Sequence, residues 1–106
     1  MFEDIQPTIG DNSRAGVIKA YQDALMAAVQ DLSKRATSRD ASVIQAMQFA
    51  WMELKLASTM TKSGVAIRIT DLRGMTCDTE FEQRMRDAGL EILQRVGKEL
   101  AAQKRA

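Results

Sequence analysis

The sequence predicts an all-α fold, and three observations support that prediction. Apolar residues recur at spacings of three and four through long segments, as they do along one face of a helix. The 106 residues include seven methionines but one proline and six glycines, which are too few turn formers for a sandwich of many short strands. Only one short segment alternates as a β-strand would. We therefore expect a single helical domain over residues 13–106, preceded by an extended N-terminal arm over residues 1–12.

The predicted domain has three helices, arranged as a hairpin or bundle around a long central helix. Helix 1 is expected over residues 13–35, and Asn12 or Ser13 can cap its start. Its apolar residues form one stripe, which consists of Ile18, Tyr21, Leu25, Ala28 and Leu32.

The central helix is expected over residues 42–73 and would span about 48 Å if it were continuous. Placing residues every 100° gives its first half two apolar stripes on nearly opposite sides. One stripe contains Val43, Ile44, Met47, Trp51 and Leu54, and the other contains Phe49, Met52, Leu56 and Met60. Either helices 1 and 3 cover both stripes within one chain, or one stripe meets a neighbouring subunit or target.

The segment from residue 63 to residue 74 fits two kinds of secondary structure. Val65, Ile67 and Ile69 alternate as in a strand, whereas a continued helix would also place Val65, Ile69 and Leu72 on one side. We favour the helix, with a kink or a frayed turn at Gly64, because no other segment could pair with a lone strand.

Helix 3 is expected over residues 78–104. Thr79 and Glu82 match a capping box at its start. An apolar stripe follows, formed by Phe81, Met85, Ala88, Ile92, Val96 and Leu100.

The composition argues against most catalytic and metal chemistry. Without histidine and with a single cysteine, Cys77, the chain lacks the residues for a zinc finger, a disulfide framework or a histidine-based triad. Asp78, Glu80 and Glu82 are better explained as carboxylates at a helix start than as ligands of a hard metal ion. We therefore predict a non-enzymatic protein with no cofactor and no metal site. No apolar stretch approaches 18 residues, so we expect no membrane span and a cytoplasmic protein, or one that is incorporated into or exported through a larger assembly.

The strongest functional signal is a surplus of large apolar side chains on the central helix. Aromatic residues and methionine are enriched at protein interfaces. The predicted partner-binding residues are Phe49, Trp51, Met52, Leu56 and Met60. They predict a protein that works by helix–helix association, as an assembly subunit or adaptor, in a homo-oligomer or with another protein.

A second hypothesis depends on basic residues. The segment from residue 41 to residue 75 carries four Lys and Arg against two Asp and Glu, and Lys62, Arg68 and Arg73 are the candidate nucleic-acid contacts. No stripe of one charge is present, so an oligomer would have to bring several copies together. The alternative function is a dimeric regulator, from a phage or a bacterium, that binds nucleic acid or inhibits a host protein.

Residues 43–73 resemble the C-terminal helix of type III secretion inner-rod subunits, which are relatives of the needle subunits. The resemblance is carried by Ile44-Gln45-Ala46-Met47, by the run Leu-Ala-Ser-Thr-Met-Thr-Lys-Ser-Gly-Val over residues 56–65, and by Leu72-Arg73. It implies a small bacterial subunit that packs as a helical hairpin into a hollow rod or its base. It also implies that subunit contacts or the lumen involve Ser58, Thr59, Thr61, Lys62 and Val65. The family ends near Leu72-Arg73, whereas this chain continues through helix 3.

Overall fold

The computed structural model describes residues 2–35, 38–60 and 64–105. These residues form four α-helices: α1 (Arg14–Lys34), α2 (Ser38–Thr59), α3 (Gly64–Arg73) and α4 (Glu80–Arg105). No β-strand is present in the described ranges, so the all-α class is confirmed and residues 64–73 are helical.

The prediction of three helices with a long central helix is wrong, because the structure divides that helix into α2 and α3. The guanidinium of Arg68 in α3 contacts the carboxylate of Glu53 in α2 at 2.7 Å. In a continuous helix these residues, 15 positions apart, would be separated by about 22 Å along the axis. α3 therefore folds back against α2, and the longest dimension of the molecule is 42 Å, shorter than the 48 Å expected for the central helix alone.

The break between α2 and α3 is tightly packed around Gly64. A Cβ atom at this position would lie 2.6 Å from the Ala57 carbonyl oxygen and 2.7 Å from the Cβ of Met60. No side chain fits there, which explains why glycine begins α3. The guanidinium of Arg14 also donates a hydrogen bond to the Ala57 carbonyl, which accepts from the Met60 N–H as well and lies in the last turn of α2.

Helix α2 contacts each of the other three helices, and one apolar core runs between them. Folding α3 back buries Val65 and Leu72 in that core. Gly89 of α4 allows a close approach, since a Cβ there would lie 3.0 Å from Leu72 and 3.1 Å from Phe49. Without a side chain at position 89, α4 packs directly against both α2 and α3.

The N-terminal arm packs on the helices and contributes to the core. Phe2 and Ile5 are buried, and the guanidinium of Arg95 in α4 donates to both of their carbonyl oxygens. The backbone N–H of Phe2 donates to the carboxylate of Glu91 at 3.2 Å, and the Arg95 guanidinium lies over the ring of Tyr21. The arm is therefore anchored to α4 and packs into the core of the helical domain.

Side chains cap the starts of two helices. The Ser13 hydroxyl accepts a hydrogen bond from the Gly16 N–H at 3.1 Å at the start of α1. At the start of α4, the Thr79 hydroxyl accepts from the Glu82 N–H, and the Glu82 carboxylate accepts from the Asp78 N–H. These bonds satisfy N–H groups that have no partner within the helix.

Candidate interaction surface

The buried residues of α2 include three alanines that lie between the two apolar stripes. Ala46, Ala50 and Ala57 are buried, and α1 and α4 both contact this helix. Because alanine is short, neighbouring helices can come close to the α2 backbone. The larger side chains of the two stripes are thereby placed on the flanks of this alanine face.

The two flanks are covered to different extents. Met47 and Leu54, from the first stripe, are buried, and Val43, Ile44 and Trp51 are partly buried against the core. From the second stripe, Phe49 and Met60 are half-buried, whereas Met52 is 49% exposed and Leu56 is 43% exposed. The chain's own helices therefore leave the outer edge of the second stripe open.

A groove of about 530 Å³ runs between α2 and the start of α4, and we call it the α2–α4 groove. Phe81, at 54%, is the most exposed of the large apolar residues described, and Met75 is 43% exposed. Both line this groove together with Met52. The complete lining is Gln45, Gln48, Phe49, Met52, Met75, Phe81, Glu82, Met85 and Arg86.

A second groove, the α1–α2 groove, adjoins the first and has a volume of about 210 Å³. Its lining comprises Met26, Val29, Gln48, Trp51 and Met52. Gln48 and Met52 line both grooves, and we call the two grooves together the apolar surface. The ammonium of Lys55 lies 5.6 Å from the centre of the Trp51 ring, within the range of a cation–π contact.

Three of the five predicted partner-binding residues line the apolar surface. These are Phe49, Trp51 and Met52. Leu56 is exposed one turn further along α2, and Met60 follows the end of α2 beside Gly64. Five apolar lining residues were missed, because they come from other parts of the chain: Met26, Val29, Met75, Phe81 and Met85.

The predicted basic contacts are placed differently. The Arg68 guanidinium donates to both oxygens of Glu53 at 2.7 Å and lies 3.4 Å from Asp71. Its side chain is 17% exposed, so most of its charge faces carboxylates of the same chain. Arg73 is exposed at the end of α3, and Lys62 lies outside the described residues. The structure thus brings Arg68 together with two acids and not with Arg73.

The titratable side chains of the described residues include Cys77 and the buried Tyr21. No three Cys, Asp or Glu side chains within residues 2–35, 38–60 and 64–105 are grouped so that they could hold a metal ion. Cys77 is half-buried, and its sulfur lies 4.0 Å from the Met75 carbonyl oxygen. Burial raises the pKa of the Tyr21 phenol above its ordinary value of 10.0, and this ring packs in the core, away from both grooves.

None of the helices described is both long enough and apolar enough to cross a membrane. Comparison of the chain with protein families, with characterised proteins and with solved structures finds no match. The resemblance to secretion rod subunits therefore depends on the sequence pattern alone. Of the residues that it implicates, Ser58 and Thr59 are exposed, Val65 is buried in the chain's own core, and Thr61 and Lys62 lie outside the described residues.

Proposed function

We propose that this protein acts without catalysis, by binding another protein chain through the apolar surface, as an assembly subunit or adaptor. The observation that carries the proposal is the clustering of exposed large apolar side chains. Six such residues are found in the described part of the chain, and four of them line two adjoining grooves that share Met52. Those four are Met26, Met52, Met75 and Phe81.

The physical argument concerns the free energy of covering this surface. A monomer rarely exposes a large contiguous apolar patch, and such patches mark interaction sites. Removing a large apolar side chain from water contributes about 1.5–3 kcal/mol when it becomes fully buried. Because the four side chains are each about half exposed, covering them would contribute several kcal/mol to binding. Methionine suits this role, since its flexible thioether adapts to the shape of a partner.

The most specific form of the proposal is a structural subunit comparable to those of a secretion rod. Support comes from the sequence resemblance of residues 43–73 and from the apolar edge of α2. A nucleic-acid role receives less support, because Glu53 and Asp71 already neutralise the charge of Arg68. Such a role predicts binding that weakens steeply as the salt concentration rises.

Polar substitution of the apolar surface tests the proposal. We expect Met52→Glu combined with Leu56→Gln to weaken self-association at least about tenfold, because a charge then replaces apolar area that would be buried. The measurement is the mass by multi-angle light scattering up to high micromolar concentration, with helix content followed by circular dichroism. Gln94→Glu is the matched control, because it adds the same charge at an exposed position of α4 outside both grooves.

A cross-linking experiment tests the proposal for a partner that is a different protein and not a second copy of this chain. A photoreactive amino acid at position 52 is compared in the native cells with the same group at position 19, where the lysine side chain is 73% exposed on α1. The proposal predicts protein adducts from position 52 and few from position 19. Monomeric protein in solution, together with no adduct specific to position 52, would refute it.

A further inference from the structure

The lining of the α2–α4 groove carries one acidic and one basic side chain. Only two of the nine lining residues are ionisable, namely Glu82 and Arg86. They are four positions apart on α4, which places them on neighbouring turns of one helix face. Their charges are opposite and sum to zero.

We propose that the occupant of this groove is the same groove of a second copy of this chain, related to the first by a two-fold axis. This inference rests on the proposed function and names its partner. Two α4 helices that cross the axis antiparallel place Glu82 of each copy opposite Arg86 of the other. The contact is then isologous, with each surface complementary to itself.

The neighbouring groups leave these two side chains within reach of a partner. The Glu82 carboxylate accepts from the Asp78 N–H at 3.0 Å, a bond that uses one of its oxygens. The Arg86 guanidinium contacts Asp87 through Nε at 3.4 Å, and its side chain is 28% exposed. An oxygen of Glu82 and the terminal nitrogens of Arg86 are the groups that an antiparallel copy would meet.

The apolar lining agrees with the same arrangement. Phe81 precedes Glu82 and is 54% exposed, and Met52 and Met75 stand beside it in the groove. In the antiparallel pair, Phe81 of each copy enters the groove of the other and covers these methionines. A partner of one sign, such as a nucleic acid or a strongly acidic peptide, would instead place like charges together at Glu82 or at Arg86.

Two single charge reversals test the antiparallel arrangement. They do not depend on how strongly Glu82 of one copy attracts Arg86 of the other. Glu82→Arg gives a groove with two positive charges, and Arg86→Glu gives a groove with two negative charges. Each variant alone would repel itself across the axis, so its dimer dissociation constant should rise about tenfold. An equimolar mixture of the two variants restores both opposite-charge pairs, so its dissociation constant should return to within about threefold of the unmodified protein.

The matched control uses the other i,i+4 pair at the start of α4. Glu80 and Arg84 lie 3.7 Å apart and do not line the groove. Mixing Glu80→Arg with Arg84→Glu should produce no gain in dimer over the separate variants. Sedimentation velocity over a concentration series gives the dissociation constants, and circular dichroism confirms that each variant keeps its helices.

The possible outcomes show separately whether the inference fails and whether the proposed function fails. Dimers that the two reversals do not weaken, or a mixture that does not recover, would overturn the antiparallel pairing. The proposed function would still hold if Met52→Glu with Leu56→Gln dispersed those dimers. If the unmodified protein is monomeric at several hundred micromolar, a second copy does not fill the groove and the inference is wrong. The cross-linked adducts at position 52 then decide whether the proposed function holds.

Discussion

Glu53→Gln is expected to destabilise the fold strongly, because it removes the counter-charge of a guanidinium that holds α3 against α2. The Glu53 side chain is 5% exposed, and that of Arg68 is 17% exposed. Breaking a buried ion pair by neutralising one partner costs about 3–5 kcal/mol. Since Arg68 is also 3.4 Å from Asp71, and since glutamine keeps one acceptor, we expect a loss near the lower value, about 3 kcal/mol.

A loss of this size is large for a domain of 106 residues, whose total stability is expected to be about 5–15 kcal/mol. It corresponds to a fall in Tm of about 12 °C or more. Thermal unfolding followed by circular dichroism gives the Tm. Hydrogen exchange gives a local readout, because amides of α3 should exchange faster than those of α1.

The control is Asp23→Asn, which removes an ion pair of the same length from the surface. Lys19 and Asp23 are 2.7 Å apart, and their side chains are 73% and 67% exposed. Such a pair contributes about 0.3–0.5 kcal/mol. If Glu53→Gln lowered the Tm no more than Asp23→Asn does, the ion pair would not be what holds α3 in place, and the reasoning would be refuted.

Three further predictions concern the packing and the pH dependence of the fold. Gly97→Ala should raise the free energy of unfolding by about 0.5–1 kcal/mol, since its Cβ would make an ordinary contact of 3.8 Å with Val65. Gly89→Val should lower it by about 1–3 kcal/mol, because the added atoms meet Leu72 and Phe49. Urea unfolding measures both, and equal effects would contradict the contact geometry. Burial raises the pKa of Tyr21, so the phenol ionises at a lower pH in the unfolded chain than in the folded one. Its contribution to the free energy of unfolding is therefore fully present below pH 10 and is lost as the pH rises further. Tyr21→Phe should show a smaller loss of stability between pH 8 and pH 11, and an equal loss in both proteins would contradict this.

Part of the apolar surface could be predicted from the sequence. Phe49, Trp51 and Met52 belong to α2, whose angular spacing already places large apolar side chains on two flanks. Met26, Met75 and Phe81 could not be predicted in the same way, because they come from α1, from the segment before α4 and from α4 itself. They join the α2 residues only where those elements pack together.

The hypothesis of nucleic-acid contacts shows what local charge in the sequence cannot predict. Arg68 is a cation in a segment of positive net charge, which suggests a free contact for phosphate. Its partner Glu53 is 15 positions earlier and in a different helix. Local charge counting does not pair two such residues, so the neutralisation of Arg68 becomes visible only when α3 folds back.

The sequence by itself determined that the chain is helical and where its apolar stripes lie, because helix periodicity and capping by residues such as Ser13 and Thr79 act within a few positions. The tertiary structure decided that α3 folds back against α2, that the arm is packed through Arg95, and which flank of α2 stays open. Those outcomes depend on contacts between distant residues. The free energies of these contacts depend on how closely the helices approach one another, and the order of residues within one helix does not specify that distance.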